Sequence, residues 1–202
     1  MNVWRLAAAS YTGLGVTSAA AVILLRQGNP LQHPSPWWEG HGSLPTSLSA
    51  LGGLFFALGV ITLTRWSVAR YAWAQSLHRE LRSVVCGIRA SEIILLALLS
   101  SSGEELFFRS LLVPWLGVLP AGLLFGLVHQ LPGPSRWVWV AWATLAGVGF
   151  GVLFALTGSL VGSLLAHALI NATNLFFLRD HPLEVPPPSL GGLLRRSSKK
   201  NS

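Results

Sequence analysis

The residues with chemical potential lie inside apolar runs. Glu104, Glu105 and Arg109 interrupt the otherwise apolar stretch 93–113. An ionised side chain at the centre of a membrane helix costs roughly 2.5–3.5 kcal/mol on insertion scales. Three such groups within six positions therefore require an interior face and mutual pairing. Glu105 and Arg109 are four apart, so they share a helical face and are expected to form an ion pair. Glu104, rotated by about 100°, has no partner on its own helix. This asymmetry separates a structural pair from a reactive carboxylate. A carboxylate withdrawn from water takes up a proton more readily, which suits a general base.

Two further polar pairs fall at membrane depth. Phe125 and His129 are one turn apart, as are His167 and Asn171, and Asn174 lies near the second pair. Imidazole can accept or polarise a proton, and an amide can donate to a developing oxyanion. One carboxylate, two imidazoles and an amide suffice to activate water and stabilise a tetrahedral intermediate.

These groups need a scaffold, and the composition indicates its class. The 202 residues are 51% hydrophobic and only 10% charged, with a mean hydropathy of +0.55. Soluble domains carry about 25% charged residues, so this chain belongs among membrane proteins. The net charge of +7 does not indicate nucleic acid, because no basic stripe alternates with stacking aromatics. The single Cys86 excludes an intramolecular disulfide and a cysteine metal site. Residues 6–25 read as a retained first span, being longer than a signal-peptide core.

Apolar segments at 6–25, 44–64, 93–113, 114–130, 137–156 and 159–178 predict an all-α polytopic transmembrane bundle of about six spans. Pro120 interrupts the fourth. A single membrane domain covers 1–178, followed by a basic, Pro-containing tail at 179–202 that reads as disordered. Between spans 2 and 3, Trp66, Trp73, Leu77, Leu81, Val84 and Ile88 recur at helical steps opposite Arg79, Arg82 and Arg89. That pattern predicts an interfacial amphipathic helix. Arg65, Arg70, Arg79, Arg82 and Arg89 crowd one loop, which the positive-inside rule assigns to the cytoplasm, with both termini on the same side. Ala143, Gly147 and Gly151, and Gly158, Gly162 and Ala166, step by four and predict close helix approach. His33, His41, His78 and His181 are expected to be solvated.

The polar residues then match a family pattern. Glu104-Glu105-Leu106-Phe107-Phe108-Arg109 has the form EExxxR, residues 125–129 the form FxxxH, and residues 167–171 the form HxxxN. In order and setting these resemble the motifs of the CPBP intramembrane proteases, the group containing the type II CAAX prenyl proteases. The resemblance covers about 91–178. It implies Glu104 as the water-activating base assisted by His129, with His167 and Asn171 binding the oxyanion and Glu105 and Arg109 in support. The implied activity is endopeptidase cleavage of a membrane-anchored protein or peptide, with the lipid bilayer as partner, in a bacterial inner membrane. The implied substrates are a CAAX-type C-terminus or a C-terminal sorting signal.

Competing readings are a non-catalytic immunity protein on the same scaffold and, less favoured, a proton-coupled transporter. Glu104, His129 and His167 could also form a two-His, one-carboxylate zinc site. The absence of an HExxH helix favours a metal-free mechanism. One difficulty concerns depth: His129 lies two residues before the turn at Leu131, too shallow for Glu104 unless the segment around Pro120 is broken or re-entrant.

Overall fold

The computed structural model describes residues 3–183. In order the elements are α1 (Val3–Arg26), α2 (Leu44–Arg70), α3 (Ala72–Val85), α4 (Ala90–Glu104), a π-helical segment (Glu105–Leu112), α5 (Val113–Leu116), α6 (Val118–Val128), α7 (Arg136–Thr157) and α8 (Val161–Asp180). The chain is an all-helical integral membrane protein. α1, α2, α7 and α8 are each long and apolar enough to cross a membrane. α8 continues to Asp180, past the expected tail boundary, and residues 184–202 of that tail lie outside the described residues.

Alternating passes are tied at their ends. At one end, the Arg26 guanidinium at the close of α1 donates to the Ser110 carbonyl, and Ser110 Oγ donates to the Pro30 carbonyl at 2.6 Å. α1 and the α4–α5 rod therefore run in the same direction. α2 and α8 also run together: Gly53 and Gly162 pack backbone to backbone, and Ser49 Oγ receives the Gly162 N–H at 2.9 Å. The small-residue stripes of α7 and α8 do not face each other. Gly147 and Gly151 accommodate Phe125 and Val118 of α6, whereas Gly162 meets α2.

The fourth expected apolar segment divides at Gly117 rather than at Pro120. Gly117 adopts φ 85°, a conformation open to glycine and costly for other residues. Pro120 sits in the first turn of α6, where its missing N–H breaks no helical bond. α6 has 11 residues, a length of about 16 Å against a hydrocarbon core of about 30 Å, so it is not a full span.

This short helix brings His129 level with Glu104. Gly117 turns the chain back on itself; Glu104 lies 13 residues before it and His129 lies 12 after it. His129 Nε2 lies 3.6 Å from Glu104 Oε2, so the residues meet at one level. The shallow estimate assumed that Leu131 marked the membrane surface.

α3 lies at 107° to the Ala90–Leu116 rod and packs against α2 and α8. Its buried face, Ala74, Leu77, His78 and Val85, is displaced from the predicted stripe: Val84 is exposed and His78 is buried. Two polar contacts seat it. His78 Nε2 donates to the His181 carbonyl at 2.8 Å, and Glu80 Oε1 accepts from Ser135 Oγ at 2.7 Å. Ser135 opens α7, so Glu80 also places negative charge at a helix N-terminus. Glu92 accepts the Arg89 N–H at 2.9 Å and caps α4.

Candidate active site

Glu104 ends α4, and the next residue begins the π-helical segment. Wide turns of this type insert a residue and turn successive side chains less than an α-helix does. Both adjacent carboxylates consequently reach the interior: Glu105 is fully buried and Glu104 nearly so.

Glu105 Oε1 is engaged twice. Arg109 Nη1 lies at 3.0 Å, as the spacing predicted, and His167 Nδ1 lies at 2.8 Å. Arg109 Nη2 donates to the Gly147 carbonyl at 3.1 Å, and its guanidinium carbon lies 4.3 Å from the Phe125 ring centre. Gly147 thus contributes an acceptor in addition to a close helix approach. Phe150 stacks on His167, with ring centres 4.9 Å apart and an interplanar angle of 16°.

Both imidazoles are oriented by their Nδ1 atoms. A carboxylate only accepts hydrogen bonds, so His167 Nδ1 carries the proton donated to Glu105. The Phe125 carbonyl likewise accepts from His129 Nδ1 at 2.7 Å. The two Nε2 atoms are left facing Glu104 Oε2, at 3.6 Å for His129 and 3.7 Å for His167. These separations are too long for direct hydrogen bonds, and Glu104 Oε2 has no hydrogen-bond partner in the protein. Three acceptors therefore converge on one point.

Asn171 stands beside this cluster, its Nδ2 donating to Ser100 Oγ at 3.0 Å. Asn174 is held elsewhere: its Oδ1 accepts from Arg65 Nη1 at 2.8 Å. The expected residues Glu104, His129, His167 and Asn171 line one largely apolar cavity of about 400 Å³, with α3 forming part of its wall. Sequence reasoning missed Ser100, Phe150 and Tyr11, which also line it. A tyrosine and a serine at membrane depth were visible as polar exceptions, but nothing in their spacing linked them to Glu104 or Asn171.

Among the described residues, no group of three or more His, Cys, Asp and Glu side chains is arranged to hold a metal ion. Residues 87–173 match the family described as Type II CAAX prenyl endopeptidase Rce1-like. No curated protein and no solved structure matches the chain. The matched segment runs from just before α4 into α8 and contains Glu104, His129, His167 and Asn171.

Proposed function

We propose that this chain, whose residues 87–173 match the type II CAAX prenyl endopeptidase family, hydrolyses a peptide bond of a membrane-anchored protein using water activated by Glu104. The carrying observation is the convergence of Glu104 Oε2 with the Nε2 atoms of His129 and His167. Three acceptors around one point suit a molecule with two protons to donate, and water is that molecule.

In this reading Glu104 removes one proton from the water while His129 accepts a hydrogen bond from the other. The oxygen adds to the scissile carbonyl carbon, and the carbonyl oxygen becomes the oxyanion. Asn171 has a second amide proton beyond the one given to Ser100, and it donates this to the oxyanion. His167 stands beside the same water, its ring fixed by the hydrogen bond from Nδ1 to Glu105. Glu104 then passes its proton to the leaving nitrogen as the C–N bond breaks. Arg109 holds Glu105 in place through its contact at 3.0 Å. Positioned base and oxyanion donors of these kinds contribute about 10²–10⁴-fold and 10²–10³-fold respectively.

The mechanism proposed is metal-free. The donors Glu104, His129 and His167 are those a zinc ion would take, so the two mechanisms share residues and differ in what polarises the water. Retained cleavage after exhaustive chelation, with zinc absent by elemental analysis, supports the metal-free form; strict zinc dependence overturns it. The apolar cavity suits a lipid-modified or helical C-terminal substrate held at a bacterial inner membrane, with the α3 end of the bundle and both termini facing the cytoplasm. Comparing membrane proteins by mass spectrometry between cells carrying wild-type and Glu104→Gln protein tests the function. A substrate trimmed only in the wild type supports it, and identical profiles overturn it.

A further inference from the structure

The first helix reaches the site from outside the segment that matches the protease family. Gly103 immediately precedes Glu104, and a Cβ there would stand 2.5 Å from the Tyr11 carbonyl oxygen. Gly15 approaches the same point, its virtual Cβ lying 3.4 Å from the Gly103 Cα. Two glycines therefore let α1 cross α4 almost backbone to backbone, one residue before the proposed base. This contact brings Tyr11 into the lining of the cavity that Glu104, His129 and His167 share.

We propose that Tyr11 is a positioning residue for the reaction, donating a hydrogen bond that holds the Glu104 carboxylate with Oε2 facing both imidazoles. Three observations favour this over plain packing. Glu104 has no partner on its own helix, in contrast to Glu105 beside it. His129 and His167 stand too far from Oε2 to fix the carboxylate by direct hydrogen bonds. Tyr11 carries the donor and arrives on a backbone clamped at Gly103, so its ring starts from a fixed base. A carboxylate free to rotate would spend part of its time with neither oxygen aimed at the water, and misplacement of a catalytic group lowers rate steeply. Nothing leaves or joins Tyr11 during turnover; its proton stays on the phenol oxygen.

The inference rests on Glu104 being the base, and the test separates the two. Purified protein in lipid nanodiscs is assayed against a cleavable lipidated peptide, comparing wild type, Glu104→Gln, Tyr11→Phe and Tyr11→Leu for kcat, KM and thermal stability. Tyr11→Phe keeps the ring and its packing. It is expected to lower kcat by about ten- to hundredfold, the size of a lost hydrogen bond to a charged group, with KM and melting temperature unchanged. Tyr11→Leu loses both ring and hydroxyl and is expected to lower kcat and stability together. If Glu104→Gln is inactive and Tyr11→Phe behaves as wild type, the hydroxyl has no positioning role and the inference is overturned while the base stands. If Glu104→Gln cleaves normally, the base assignment fails first and the inference falls with it.

Discussion

Glu104 and Glu105 are neighbours in sequence, yet they occupy opposite kinds of environment. Glu105 is fully buried and clamped by Arg109 and His167, on a floor of Phe125 and Phe150. Glu104 opens to the cavity, and the imidazole nearest its Oε2, that of His129, is itself 23% exposed. One carboxylate is held through its Oε1 by fixed partners; the other turns its Oε2 toward two imidazoles that stand too far away for direct hydrogen bonds. The contrast shows how a membrane bundle can hold two acids in sequence without both being structural. The π-helical turn that starts at Glu105 makes this possible by keeping both side chains inward.

The largest expected effect comes from breaking the contrast at its reactive side. Glu104→Gln preserves shape and burial and should lower single-turnover cleavage by at least about 10³-fold, within the range for a positioned base. Its melting temperature should match the wild type. Glu105→Gln should do the reverse in character. It strands Arg109 as an uncompensated buried charge, which costs about 3–5 kcal/mol, read as a lower melting temperature and poorer recovery from the membrane. Equal stability of the two variants would show that the environments differ less than their partners suggest.

A smaller effect should sharpen the division of labour around Asn171. Asn171→Ala removes a proposed oxyanion donor and should cost about 10²–10³ in kcat. Ser100→Ala leaves the amide in place but frees it from the 3.0 Å contact, so a loss of about tenfold is expected, near the net value of one neutral hydrogen bond. A Ser100 variant as damaged as the Asn171 variant would mean that Ser100 itself meets the substrate.

The same comparison shows what a sequence can reveal. The Glu105–Arg109 pair was legible because spacing within one helix is local, and the bundle was legible because long apolar runs have few alternatives. His167 binding to Glu105 was not legible, since it depends on how α8 lies against the π-helical segment. The π-helix was also hidden: a spacing of four satisfies an α-helix equally well. Hydropathy runs through Gly117 without a break, so the half-length α6 and the depth of His129 became visible only with the turn itself. On α3 the predicted face was displaced because Val84 counts as apolar wherever it points, while His78 is buried by a carbonyl from the far end of the chain.

The smallest expected effect concerns that histidine and the seating of α3 rather than chemistry. Burial holds the His78 imidazole below its ordinary 6.5, and the nearby charges of His181, Arg82 and Arg65 act in the same direction, outweighing the hydrogen bond to the His181 carbonyl. Above 6.5 the ring is neutral whether α3 is seated or released, so seating is at full strength. As the pH falls below that value, the released helix takes up a proton that the seated one resists, and seating weakens. Protection of the α3 amides, measured as exchange relative to the intrinsic rate at each pH, should therefore fall between about pH 6.5 and pH 5, the range in which an ordinary histidine gains its proton. His78→Gln should abolish that pH dependence, because glutamine can still reach the carbonyl but carries no titrating group. Protection that falls equally in the variant would assign the effect to groups other than His78.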